Sequence, residues 1–505
     1  MSELKKIRAR QAIRWSAGLA LFLVLGGALR LLLLPINQAE YTDGIIQLNQ
    51  FSEWTGIYPP LYTAVCWPLS FVMGQLWAGR LVSTVFSTLG VIPLYLLARR
   101  SFGMRAAMFA ALVYTVAPVS LRWSPRVMTD SMFAFFFWFS IDRLHLAQGA
   151  QDEKTASKAL FHSCLWGGLA ALTRYQGLML APPVVVMAIY LRMHRGFLPW
   201  KGMLGLACFL AAPVWSHIVG NIHGEQFGER MAYLGPWMTF LLTSEPFLLT
   251  MPYFLTYPVA FLALIGMMVG QARDRYMMTP ITVYTLAVLL VAQSLFASFQ
   301  ERYFLPFYGI LFVWAGLGMA VVDDRARRRW PRVRSYTPML VTIWSLFIAT
   351  LVLLGSRGAF GDIAAASRFV RGMARQEAGL RVYTNEIYRR GANGAPDIAA
   401  TKVRFFSRQP AEHLTPAHYA GRAAVETGAV LVISGRDVAG ENLAGLMQKY
   451  TLEEIGSFRS HVTPIFPDIM QDRQIEQSPM AWLYRYMPQS FETKVYRVLG
   501  TRGGP

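Results

Sequence analysis

Long apolar runs alternate with short polar stretches over the first 355 or so residues, near 14–34, 77–98, 104–121, 129–144, 160–173, 177–191, 202–220, 249–270, 278–297, 303–322 and 337–355. Most approach the roughly 20 residues that a helix needs to span ~30 Å of hydrocarbon. The pattern therefore predicts an all-α polytopic membrane protein with about eleven transmembrane helices. From Gly358 the composition turns mixed and polar, and a second domain is expected over 358–505, beside a membrane domain over 1–357. In it, "AASRFVRGMARQ" sets Ala366, Phe369, Val370 and Met373 at helical spacing, whereas "LRVYT", "TKVRFF", "AVLVIS" and "KVYRVL" are short β-rich runs. A small C-terminal α/β domain follows, with "GANGAP" at 391–396 as a loop. No repeat of 20–50 residues is present.

The stretch from Pro35 to about Gln75 fits neither a loop nor a span. "DGIIQLNQFSEW" places Ile46, Leu48, Phe51 and Trp54 roughly on one face and Asp43, Gln47, Gln50 and Glu53 on the other, which predicts a short helix lying in the membrane interface. "YPPL" ends it, because proline removes a donor and disfavours helix in the residue before it. "LYTAVCWPLSFVMG" is expected to form a second interfacial helix.

Composition supports the membrane assignment: 54% of residues are hydrophobic and only 15% charged. The formal net charge of +19 suggests nucleic acid until its distribution is followed. The basic residues gather in alternate loops, "MSELKKIRARQAIR", "ARRSFGMR", "LRMHRGFLPWK", "QARDR" and "DDRARRRWPRVR", with about 22 Lys and Arg on one side of an eleven-span chain against about 5 in the opposite loops. The positive-inside rule makes that side cytoplasmic and puts the C-terminal domain on the outer face. "RARRRWPRVR" then reads as a topology anchor against anionic lipid rather than a polyanion site, and no nucleic-acid partner is expected. Cys66, Cys164 and Cys208 form no disulfide framework or CxxC metal pattern. The N-terminal apolar run is too long for a cleaved signal peptide and reads as a first helix that is retained.

The short outward loops each set an arginine beside hydrocarbon: "SPRVMTD" (Arg126, with Arg122 just before it), "TRYQG" (Arg174) and "SFQERYF" (Arg302). A guanidinium at that depth marks a functional site unless it simply snorkels to the headgroups, and for each arginine alone the two readings balance. Asp130, four residues after Arg126, either serves an acceptor or cation or is an N-cap paired with Arg126. His217 and His223 lack the companions of a metal site, so the metal question stays open, as does a divalent cation. "GGLAALT" reads as close helix packing rather than a phosphate cradle. Residues 38–62 carry three carboxylates and no basic residue, and a carboxylate held at the bilayer edge is partly desolvated and suited to act as a base.

The acidic loop with Asp43 and "YPPLY", followed by "LWAGRLVSTVFSTLGVIPLYLLARRSFG", "SPRVMTDSMFAFFFWF", "GLAALTRYQGLML" and "ERYFLPFYGILFVWAGLG", resembles the GT-C glycosyltransferases. More narrowly, it is similar to the bacterial relatives of the protein O-mannosyltransferases (glycosyltransferase family 39) and of the lipid A aminoarabinose transferase. The resemblance covers about residues 14–355. It implies transfer of a sugar from a polyprenyl-phosphate donor to an acceptor hydroxyl of a lipid, glycan or protein, on the outer face and with inversion. Asp43 occupies the place of the family's proposed base. Some members follow that aspartate with glutamate, where this chain has Gly44, and others carry a charge just before the double proline, where this chain has Ile57 and Tyr58. The second carboxylate is therefore open among Glu40, Glu53 and Asp130. Bidentate, permanently charged arginine suits the donor phosphate, with Arg302 and Arg174 first and Arg126 third. Glu53, Tyr58, Tyr175 and Tyr303 are candidate substrate contacts. A polytopic transporter or a non-catalytic assembly protein of envelope glycan synthesis is the competing reading; the first lacks matching pairs of broken helices and midplane polar residues.

Overall fold

The computed structural model describes residues 2–51, 58–218, 256–273, 301–330, 336–390, 396–420, 422–435, 440–463 and 488–502. The chain divides into two compact units, residues 1–34 with 50–351, and residues 35–49 with 352–505.

The first unit is helical. Its described elements are α1 (Ser2–Leu33), α3 (Leu61–Met73), α4 (Gln75–Leu89), α5 (Val91–Phe102), α6 (Met104–Val116), α7 (Pro118–Trp123), α8 (Asp130–Gln148), α9 (Glu153–Thr173), α10 (Ala181–Arg195), α11 (Trp200–Met203), α12 (Ala211–Ile218), α13 (Tyr257–Arg273), α14 (Leu305–Arg329) and most of α15 (Thr337–Ser356), whose last turn enters the second unit. Among the described residues, Gln75–Phe102, Tyr175–Arg195, Leu305–Arg329 and Thr337–Ser356 are long and apolar enough to cross a membrane. Shorter apolar helices occupy Ala17–Leu33, Leu61–Met73, Met104–Val116, Trp200–Trp215 and Tyr257–Gly270. The crossing expected near 278–297 lies outside the described residues.

Small residues bring the helices together, as they must where lipid and side chains are equally apolar. A Cβ on Gly266 would meet the Trp314 carbonyl, and one on Gly318 would meet the Leu262 carbonyl, so α13 and α14 touch backbone to backbone. Gly168 of "GGLAALT" meets the Cys208 carbonyl in the same way, and Gly167 lies against the Phe209 ring. Gly318→Val is expected to cost about 1–3 kcal/mol through overpacking. A lowered thermal-unfolding midpoint in detergent checks this, and an unchanged midpoint would mean that the two helices separate freely.

Arg30 fastens α1 to the elements beside it. It is fully buried, donating to Ser87 Oγ at 3.0 Å, Ser120 Oγ at 2.6 Å and the carbonyls of Gly26 and Thr115 at 3.2 and 3.3 Å. One guanidinium thus ties α1, α4, α6 and α7 together through its rigid fork of donors. Elsewhere, Arg100 pairs with buried Asp142 at 2.8 Å, and Asp323 takes both Arg105 and Arg327. These arginines, expected only to mark the cytoplasmic side, also neutralise buried carboxylates.

The second unit is built on a five-stranded mixed sheet in the order β4-β1-β5-β7-β6. Its strands are β1 (Val382–Thr384), β4 (Ala411–His413), β5 (Val430–Ser434), β6 (Tyr450–Val462) and β7 (Gln489–Thr501), while β2 (Ile387–Arg390) and β3 (Pro396–Ala399) pair separately. β4, β1 and β5 run parallel; β7 is antiparallel to β5 and β6. Alternation along β5 explains its central place. Val430 and Val432 pack toward α16 (Gly361–Ala374) with Ile363, Ala366 and Val370, while Leu431 and Ile433 pack on the other face with Tyr383, Tyr450 and Tyr496.

Two expectations for this region change. "TKVRFF", expected as a strand, is a helix, α17 (Thr401–Ser407). Its β-branched and aromatic residues favour a strand locally, but the first amides of the helix, Lys402 N and Val403 N, donate to the Glu386 carboxylate at 3.0–3.1 Å. A distant side chain therefore satisfies the helix start and overrides the local preference. The acidic-loop helix, α2 (Thr42–Asn49), is shorter than expected, and every residue from Thr42 to Leu48 is buried, Asp43 and Gln47 as well as Ile46 and Leu48. It has no exposed apolar face: Ala39 and Ile45 pack with Ala364 of α16 and Phe406 of α17.

Candidate active site

The arginine-bearing elements of the first unit converge on one tryptophan. Ala117 is extended and Pro118 opens α7 at a position where its missing N–H costs nothing, so a one-and-a-half-turn helix ends on Arg122 and Trp123. The turn that follows, 124–129, is held on α4. Thr84 Oγ1 donates to Ser124 O at 3.0 Å, and Ser83 Oγ both donates to Met128 O at 2.9 Å and accepts Met128 N at 3.2 Å. Tyr62 of α3 steadies Ser83 at 2.9 Å. This anchoring fixes Arg126 in the turn and Asp130 at the start of α8.

Three guanidiniums surround the Trp123 ring: Arg122 at 5.1 Å, Arg302 at 5.4 Å and Arg126 at 6.0 Å from its centroid. Arg302 comes from the short 3-10 turn Glu301–Phe304 that leads into α14, and it also meets the Met128 sulfur. Relative exposures of 2% for Arg122, 0% for Arg126 and 2% for Arg302 put all three out of bulk water. At these distances the ring's π face attracts each guanidinium electrostatically.

Arg174 joins from the end of α9. The helix stops at Thr173 and Arg174 is extended (φ −149°, ψ 136°), which turns its side chain toward the start of α8. There its Nη1 donates to Asp130 Oδ1 at 2.8 Å and Thr129 Oγ1 at 3.2 Å, and its Nε donates to Gln176 Oε1 at 3.4 Å. The partner of Asp130 is thus Arg174 rather than Arg126, and the N-cap position belongs to Thr129.

The structure brings Arg126 and Arg302 together on Trp123 and joins Arg174 to Asp130. Tyr175 is half-buried beside Arg174, and Tyr58 is half-buried at the start of its segment. Tyr303 lies in the Glu301–Phe304 turn, with its side chain outside the described residues, as are Glu53 and His223. His217 is exposed at the end of α12. Among the described residues, no three His, Cys, Asp or Glu gather as metal ligands. Sequence reasoning missed Trp123 and Thr129; the signal for the first was its place directly after Arg122 in "SLRWSPR".

Asp43 and Glu40 belong to the second unit. Asp43 lies in the first turn of α2 with 7% exposure, and Glu40 is fully buried. The neighbour of Asp43, Thr42, accepts a hydrogen bond from Lys402 of α17.

Residues 58–217 match the sequence profile of the family described as dolichyl-phosphate-mannose-protein mannosyltransferase. The match spans less than half of the chain, and over it the sequence is similar to the GT-C glycosyltransferases. The fold is similar to that of ArnT from Cupriavidus metallidurans. The crystal structure bound to undecaprenyl phosphate gives a TM-score of 0.62 at 15% identity, over 86% of this chain and 96% of that one. The apo structure gives 0.60 at 15% identity, over 88% and 96%. The apo oligosaccharyltransferase of Archaeoglobus fulgidus gives 0.51 at 12% identity, over 87% of this chain and 69% of that one. At these identities the likeness is one of fold. A comparison with curated protein sequences finds no match.

Proposed function

We propose that this protein transfers a sugar from a polyprenyl-phosphate donor to an acceptor hydroxyl on the periplasmic face of the inner membrane, with the N-terminus cytoplasmic. The observation that carries this is the gathering of Arg122, Arg126 and Arg302 around Trp123, with Arg174 on Asp130. Buried guanidiniums at such density suit a phosphate that has no nucleotide handle. The profile match and the fold support the same class, and the ArnT structure of that fold was solved with undecaprenyl phosphate.

In the proposed reaction the acceptor oxygen attacks the anomeric carbon from the face opposite the phosphate, and its proton passes to the Asp43 carboxylate. The carbon–oxygen bond to phosphate breaks, and the electron pair leaves with the polyprenyl phosphate. The configuration inverts. A phosphate leaving group needs no protonation, so one base suffices, unlike the two carboxylates of hydrolases. The arginines neutralise charge growing on the leaving oxygens. Asp130 orients Arg174 and moves no proton. Tyr58 and Tyr175 are assigned to contacts with sugar or prenyl chain, and Tyr303 and Glu53 keep that assignment from sequence.

Transfer by purified protein from a panel of polyprenyl-phosphate sugars to membrane extracts tests this reading. Arg302→Ala and Arg126→Ala are each expected to weaken donor capture on the order of 10- to 100-fold, the worth of one or two charge-assisted hydrogen bonds. Unchanged donor dependence in both variants would remove the phosphate assignment. Transfer from no donor, with the panel shown competent by another enzyme, would favour a transporter or scaffold.

A further inference from the structure

The second unit contains a buried ion pair that the proposed reaction leaves without a task. Glu386 and Lys402 are both buried, and Lys402 Nζ donates to Glu386 Oε1 at 3.2 Å. Such pairs are costly to desolvate and are weak devices for stability alone. Glu386, moreover, is well served without the ammonium. Its two oxygens accept Lys402 N at 3.1 and 3.0 Å, and one of them also accepts Val403 N at 3.0 Å. The same carboxylate thereby starts α17, which carries Lys402.

The ammonium reaches beyond that pair to the acidic loop. Lys402 Nζ donates to Thr42 Oγ1 and stands 4.1 Å from the centroid of the Phe360 ring. With one donor on a carboxylate, one on a hydroxyl and an aromatic face against it, the ammonium has little freedom left. Thr42 opens α2, and Asp43 is the next residue. The chain entering α2 is held as well: Gln38 N donates to Arg357 O at 3.0 Å, and Gln38 O accepts Arg368 Nη2 at 3.0 Å. Two independent ties thus fix the segment before Asp43 to the sheet-bearing unit, and the nearer one runs through Lys402.

We propose that Lys402 is a positioning residue for Asp43: bonded to Glu386, it holds Thr42 and so locks the first turn of α2 with the base in place. The proposal rests on Asp43 acting as the base. Lys402 is assigned no contact with donor or acceptor and works through the geometry of α2 alone.

The test compares the full-length parent with Lys402→Met, Thr42→Val, Asp43→Asn and the Lys402→Met/Asp43→Asn pair, reading transfer kinetics and amide hydrogen exchange. Lys402→Met and Thr42→Val are expected to lower kcat on the order of 10- to 100-fold, the effect of a misplaced catalytic group, with the donor KM unchanged. Lys402→Met should cost nothing further at the residual rate of Asp43→Asn, because both act on the same step. Exchange should quicken across Thr42–Asn49 while β1 and β5 stay protected. Thr42→Val, nearly isosteric, keeps the test sound if Lys402→Met disturbs the sheet. Parental kcat and parental exchange in Thr42→Val would overturn the proposal, as would an equal Lys402→Met penalty in both backgrounds. Loss of turnover in Asp43→Asn with none in the other two would reject the role of Lys402 alone. Full turnover in Asp43→Asn would reject the base and this proposal together, as would absence of transfer by the parent.

Discussion

Asp43→Asn is expected to lower sugar transfer by about 10²–10⁴-fold, the usual worth of a general base. The replacement is close in size and keeps a polar group in the first turn of α2, where Thr42 through Leu48 are all buried. Losing the negative charge there removes a favourable interaction with the helix N-terminus of about 0.3–1 kcal/mol, too little to unfold the domain. Protein matched for folded fraction should therefore bind donor as the parent does and fail at the chemical step. Donor binding, read with the polyprenyl phosphate alone, separates the outcomes. Unchanged binding with lost turnover supports the base, whereas retained turnover dismisses it and turns attention to Glu40, which is fully buried two residues before α2.

The second large effect is expected at Asp130. Its pair with Arg174 is 2.8 Å long, with side-chain exposures of 1% and 10%. Removing one partner of a buried ion pair costs roughly 3–5 kcal/mol. Arg174 would keep its hydrogen bonds to Thr129 and Gln176. Asp130→Asn should therefore unfold at markedly lower temperature or denaturant concentration, and replacing both partners by methionine should recover most of the loss, because a buried pair replaced whole by apolar side chains is often close to neutral. A stable Asp130→Asn protein with abolished turnover would contradict this and would make Asp130 a second catalytic carboxylate.

Much of this architecture could be read from the chain, because its strongest signals are local. Apolar runs near 20 residues locate helices such as Thr337–Ser356, and the uninterrupted Val430–Ile433 run marks a strand buried on both faces. Arg126, Arg174 and Arg302 were legible because guanidinium beside hydrocarbon is costly. What escaped depends on partners far away in sequence. "TKVRFF" becomes a helix because Glu386, 16 residues earlier, receives its first amides. Trp123 could not be distinguished from any interfacial tryptophan until Arg302, from a distant segment, was seen at it beside Arg122 and Arg126. The pairing of Asp130 with Arg174 spans 44 residues, while the i to i+4 spacing pointed to Arg126. Nothing local marks residues 35–49 as belonging with 352–505.

That last membership bears on how proteins of this fold can be recombined. Residues 35–49 and 352–505 form one compact unit although some 300 residues separate them in the chain. An exchange of parts between related chains that cuts only at the end of the last apolar helix would pair a foreign sheet domain with a native acidic loop and break the fit of Ala39 and Ile45 against Ala364 and Phe406. The heritable module is discontinuous, so a working chimera has to carry the short loop and the C-terminal domain together, as a two-piece cassette.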